Sequence, residues 1–415
     1  MDSGNALIYL LGGLIPLACM AFFLGRRKAL VQEAQGHKLH SQPGFYGWFA
    51  FTWMVIPPLG LSVVLASLHI AGLINVPPQV LVAACLTLAA LSLVASLHMI
   101  QPGLRARSRV EQVIRWMLFT ASAISIMTTV GIVLSIIFEA IKFFNMVSLW
   151  EFITGTTWSP DAAFLSGAGR TGEEAAKPEF GSLPIFAGTF MITFIAMLVA
   201  IPVGLFSAIY MSEYASKTVR EMAKPMLEIL AGIPTVVYGF FAAITVSPLV
   251  VRAAESIGLE AAYTNALTPG LVMGIMIIPF ISSLSDDIIN SIPQSMREGS
   301  YALGTTKSET IKRVLLPAAL PGIVSAFLLG VSRALGETMI VVMAAGLRPN
   351  LTWNPLEGMT TVTVRIVDAL TGDTAFDSAE TLSAFGLGLA LLLVTLMLNI
   401  VSTIVIRRFK QQYEL

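Results

Sequence analysis

Apolar residues along the chain gather into long runs instead of an amphipathic period. Nine stretches, at about 6–24, 48–70, 79–99, 113–138, 184–211, 226–250, 267–289, 321–345 and 382–406, are each apolar enough to cross a bilayer. Roughly 18 apolar residues suffice to bridge the hydrocarbon as a helix. The pattern predicts an all-α fold, a polytopic membrane helical bundle. Composition agrees, with 55% hydrophobic and 12% charged residues, about half the charged share of a soluble domain.

The formal net charge is zero, so the information lies in where charges fall. The first run has no basic segment before it, and Arg26, Arg27 and Lys28 follow it. That order fits a retained helix with its N-terminus outside, not a cleaved leader. The same choice gathers Lys38, Arg105, Arg107, Arg109, Arg115, Lys217, Arg220, Lys224, Arg297, Lys307, Lys312, Arg313, Arg407, Arg408 and Lys410 on the cytosolic side. Outside fall Lys142, Arg170, Lys177, Arg252, Arg348 and Arg365, and Arg333 is left within a span. The positive-inside rule is met three to one, with a cytosolic C-terminus.

Three spans precede Gln101-Pro102-Gly103 and a basic linker, and six follow. The expected division is an N-terminal extension at 1–109 and a six-helix domain at 110–415. Two outer loops, about 142–183 and 346–380, carry Trp, Gly, Pro and acidic residues and are long enough to meet an external partner.

Between the seventh and eighth spans, at 290–320, lies a polar insert of helical period. Gly304 suits a helix C-terminus, where a left-handed backbone is needed. Thr306-x-x-Glu309 offers a capping box for a second helix, which Pro317 and Pro321 are expected to limit. The segment reads as helix, tight turn, helix on the cytosolic side.

Here the sequence resembles the permease subunits of bacterial ABC importers, whose signature is Glu-Ala-Ala, three residues, Gly, nine residues, then Ile-x-Leu-Pro. Glu298-Gly299-Ser300, Gly304 and Val314-Leu315-Leu316-Pro317 stand at matching spacing, with Gly-Ser for Ala-Ala and Val for Ile. The resemblance implies that Arg297, Glu298, Gly299, Ser300, Gly304 and Pro317 belong to the surface that docks a separate ATPase, with 295–304 as the coupling helix. No G-x-x-x-x-G-K-[ST] phosphate loop occurs in the chain, so hydrolysis belongs to another subunit. Leu165-Ser166-Gly167-Ala168-Gly169 is a chance likeness to an ATPase signature in an outer loop.

Four longer stretches, Ser148–Pro160, Ala208–Ala215, Gly232–Ala242 and Ser332–Met339, resemble the phosphate-specific branch, the PstC-type permeases. The resemblance covers about 110–410, and longer members carry an N-terminal extension of this kind. It implies an inner-membrane permease of an ATP-driven phosphate importer. Its implied partners are a sister permease forming a heterodimer, two ABC ATPase subunits that hold ATP and magnesium, a periplasmic phosphate-binding protein, phosphate, and membrane lipid. No cofactor on this chain and no nucleic-acid partner are expected. A permease for molybdate or sulfate, or the sister permease itself, remains the alternative.

Arg333 and Glu337 carry the candidate chemistry of the path. A charge near mid-membrane costs at least about 2.5–3.5 kcal/mol on insertion scales and normally faces a partner or water. Four residues apart, the two are expected on one helix face, within pairing reach. They either brace the bundle as a salt bridge or line the path, where the Arg fork suits phosphate oxygens. Gly330 and Gly336 flank them and allow close approach or flexing. Glu139, Glu213, Asp286 and Asp287 sit at span ends and read as interfacial. No catalytic set such as Gly-x-Ser-x-Gly or His-Glu-x-x-His occurs. His37 and His40 lack the carboxylate or cysteine neighbours of a metal site, and Cys19 and Cys85 have neither disulfide nor metal spacing.

Overall fold

The computed structural model describes residues 3–160, 178–371 and 377–413. Leu165–Gly169, Arg170 and Lys177 lie outside the described residues. Nine helices long and apolar enough to cross a membrane are present among the described residues, matching the nine expected runs. By contacts the chain falls into two compact units, Met1–Gly131 and Ile132–Leu415.

The first unit holds α1 (Ser3–Ala34), α2 (Pro43–Ile70), α3 (Pro78–Met99) and the first part of α4 (Ala106–Met146). Its core is Tyr46, Phe49, Met54, Cys85 and Ala89, all fully buried. The first helix outruns its apolar stretch, so Lys28 and Gln32 remain helical and reach the end of α3. Lys28 donates to the Leu97 carbonyl and Gln32 to the Ile100 carbonyl. A helix end leaves its last carbonyls without partners, and these side chains supply them.

The second unit contains the rest of α4, α5 (Leu149–Thr154), and a two-stranded antiparallel ladder pairing Trp158 with Phe180 (β1, Trp158–Ser159; β2, Glu179–Phe180). Phe143, Phe152, Trp158 and Phe180 stack edge to face beside it, with centroids 5.5–5.8 Å apart. Then come α6 (Leu183–Ile209), α7 (Lys217–Gly232), α8 (Thr235–Phe241), α9 (Ser247–Ser256) and α10 (Leu267–Ser291). The chain continues with α11 (Gln294–Ala302), α12 (Lys307–Thr310), α13 (Leu316–Leu335), α14 (Met339–Ala344), α15 (Val362–Thr371) and α16 (Ala379–Tyr413). The sixth expected span is displaced: 217–232 forms the separate amphipathic α7, and the crossing stretch is Thr235–Ser256.

The core of this unit is the packing of α10 on α6. Gly270 and Gly274, a small-x-x-x-small pair, let the backbones close on each other where dispersion contacts do the work of association. A Cβ at Gly274 would stand 2.9 Å from the Ala196 carbonyl and 2.9 Å from the Val199 Cβ. Gly274→Ala is therefore expected to destabilise the second unit by about 1–3 kcal/mol, the usual cost of overpacking. Thermal unfolding in detergent measures this, and an unchanged Tm would refute the close approach.

Candidate functional site

The 290–320 segment folds as an elbow. α11 ends at Ala302 with Leu303 as its cap, and Gly304 turns the chain with φ +81°. Thr306 caps α12 through the Glu309 N–H, and the Glu309 carboxylate returns to the Thr306 N–H at 2.9 Å, completing the capping box. The hydroxyls of Ser300, Thr305 and Thr310 knit the turn, 2.7–2.9 Å apart.

The prolines do not limit the second helix as expected. Ile311–Leu315 forms a π turn that runs directly into α13, giving one continuous helix from Lys307 to Leu335. In a π turn the N–H bonds reach one residue further back, so Pro317, next to the junction, is accommodated without a break.

α11 has two faces. Glu298 and Gly299 are exposed, as are Met296, Tyr301 and Leu303. Arg297 points the other way and is 8% exposed. Its Nε donates to the Glu213 carboxylate at 3.1 Å, and its terminal nitrogens donate to the Ile292 and Ile289 carbonyls at 2.8 and 2.7 Å. One planar fork thus fastens α11 to the end of α10 and to the π turn Tyr210–Tyr214 that continues α6. Glu213 is a buried anchor, a role its place at a span end did not suggest. Pro317 is half-buried.

Arg333 and Glu337 do not form the expected pair. α13 stops at Leu335 with Gly336 as its cap, so the two are not four residues apart on one helix. Glu337 instead accepts from the Met339 and Ile340 N–H groups at 3.1 and 3.4 Å, capping α14. A carboxylate at a helix start is favoured by the unpaired N–H groups there. Arg333 is exposed on this chain and lies over the Phe280 ring, 6.0 Å from its centroid.

Arg333 opens into a cavity of about 260 Å³ that is also lined by Lys224, Glu228, Met276, Phe280 and Asp286. Around Asp286 in this lining is a charge cluster that the sequence did not reveal. Asp286 is fully buried and receives Arg220 at 2.9 and 3.1 Å, Asn290 at 2.8 Å, and Lys224 at 3.4 Å. Lys224 also donates to Asp287 at 3.0 Å. The hydrogen bond to Asp287 leads the influences that hold the Lys224 ammonium above its usual range. Arg220 and Lys224 both stand on α7, one turn apart, which is how an exposed amphipathic helix is tied to the core helix α10. The clue in the sequence was an Asp inside an otherwise apolar run.

Membrane-length helices with a capped elbow feeding one of them fit a transport permease. The model of the family described as binding-protein-dependent transport system inner membrane component matches residues 200–414. A second, described as phosphate ATP-binding cassette transporter, matches residues 11–76. A probable ABC transporter permease of Bacillus subtilis, YqgH, is 34% identical over 294 residues, covering 70% of this chain and 89% of its own. The phosphate transport system permease PstC 1 of Mycobacterium tuberculosis is 32% identical over 323 residues, covering 72% and 94%. A solved bacterial alginate ABC transporter in complex with a pentasaccharide-bound periplasmic protein has a TM-score of 0.48 at 15% identity, covering 72% of this chain and 96% of its own. The chain belongs to the family of binding-protein-dependent transport system inner-membrane components. It is a multi-pass inner-membrane permease subunit and not an enzyme, and it works with an ABC ATPase, a permease partner and a periplasmic binding protein.

Proposed function

We propose that this chain is a permease subunit of a phosphate importer, with Arg333 in the translocation path and the elbow at 290–320 seated on the ATPase. The observation that carries the mechanism is the continuous helix Lys307–Leu335, which has the elbow at one end and Arg333 near the other. The substrate assignment is supported by the named relative PstC 1 and by the phosphate-transporter description of the match at 11–76. The division into an extension at 1–109 and a six-helix permease at 110–415 follows the basic linker between them.

In this reading the N-terminus is outside and the elbow is cytosolic, as the distribution of basic residues favours. A periplasmic phosphate-binding protein delivers the anion to a heterodimer of this chain and its sister permease. Two ATPase subunits close on ATP and move α11. Its outer residues, Glu298, Met296, Tyr301 and Leu303, meet the ATPase, and Gly299 keeps that face low. Arg297 and Ser300 pass the motion inward, to α6 and α10 and across the turn. Glu337 shapes the path by fixing the bend after Arg333, while Arg333 offers its fork to the anion.

The complete importer in membrane vesicles is expected to take up labelled phosphate on addition of ATP. Unlabelled phosphate should compete, and a hundredfold excess of molybdate or sulfate should not. Equal competition by molybdate would transfer the assignment to a different oxyanion.

A further inference from the structure

We propose that Lys224 is a second cationic waypoint for the transported oxyanion, besides Arg333, and that Asp286 holds its place while the path is empty. The proposal rests on the reading of Arg333 as part of the path. The cavity lining on α10 runs from Met276 through Phe280 to Asp286. Arg333 stands beside Phe280 and Lys224 beside Asp286, six residues further along the same helix. Both cations line the one cavity.

The cluster around Asp286 is arranged so that Lys224 can leave it. Arg220 takes both carboxylate oxygens, at 2.9 and 3.1 Å, and Asn290 adds a bond at 2.8 Å. Lys224 makes the longest contact, 3.4 Å, and is one-third exposed. Asp286 thus stays compensated when Lys224 turns to an anion in the cavity, and no unpaired buried charge results. The second Lys224 partner, Asp287, is largely exposed, so water screens that contact and can replace it when Lys224 turns. Glu228, exposed on the cavity rim one turn further along α7, opposes lodging of the anion. A site on a path has to release its anion as well as attract it, and Glu228 beside Lys224 serves the release.

The test uses Lys224→Cys in a chain carrying Cys19→Ser, assembled in the complete importer in membrane vesicles. ATP-driven uptake of labelled phosphate is expected to fall about tenfold or more, the factor of one charge-assisted hydrogen bond. A methanethiosulfonate reagent bearing an ethylammonium group should restore it, since it rebuilds a cation at 224. The sulfonate-bearing reagent should not, and added phosphate should slow the labelling. Normal uptake by unlabelled Lys224→Cys, with Arg333→Ala inactive, would overturn the second waypoint and leave the path through Arg333 standing. Equal rescue by both reagents would reduce Lys224 to a packing role. Normal uptake by Arg333→Ala would instead overturn the reading on which the proposal rests.

Discussion

Arg297→Ala is expected to lower the stability of the second unit by about 3 kcal/mol or more, the cost of breaking a buried ion pair from one side. Glu213 would be left buried without its cation, and the carbonyls of Ile289 and Ile292 would lose their donors. Uptake should be lost together with a drop in Tm. Arg297→Lys should recover little, because a point charge cannot serve three acceptors that a planar fork reaches together. The neighbouring Glu298→Ala, on the exposed face, should leave the Tm unchanged while loosening the ATPase and uncoupling hydrolysis from uptake. Thermal unfolding and ATPase assays on the assembled importer separate the two. A Tm drop for Glu298→Ala, or none for Arg297→Ala, would reverse the assigned faces of α11.

Arg333→Ala is expected to reduce phosphate uptake about a hundredfold, equivalent to losing roughly two charge-assisted hydrogen bonds to the anion. Folding should survive. Arg333 is exposed and, among the described ion pairs, has no carboxylate partner, so only its contact with Phe280 is lost. That contact is worth about 0.5–1 kcal/mol. Arg333→Lys should retain part of the activity. Undiminished uptake by Arg333→Ala in whole cells would give the residue a structural role only.

The features legible in the sequence were those written locally. Lipid demands apolar runs, so the number of spans could be read from hydropathy, although the sixth was set too early because the amphipathic α7 runs up to its start. Gly304 and the Thr306–Glu309 box are each set by a few adjacent residues, and both stand as expected. Contacts across distant segments were not legible. Arg297 and Glu213 are 84 residues apart and Arg220 and Asp286 are 66 apart, and nothing local to either partner names the other. Two local readings failed for a shared reason, the assumption of uniform α geometry. The π turn at Ile311–Leu315 carries the helix through Pro317, and Gly336 ends it before Glu337. Each irregularity changes which residues share a face.

The unbroken helix Lys307–Leu335 has a mechanical consequence. Its 26 steps from Lys307 to Arg333 span about 39 Å at the helical rise, more than the roughly 30 Å of hydrocarbon. In the proposed mechanism this helix tilts as the elbow moves. Rotation by about 5° sweeps the far end through about 3 Å relative to the near end, comparable to the width of one oxyanion. A shift of that size is, in the proposed mechanism, how displacement of the ATPase at the elbow reaches the route past Arg333.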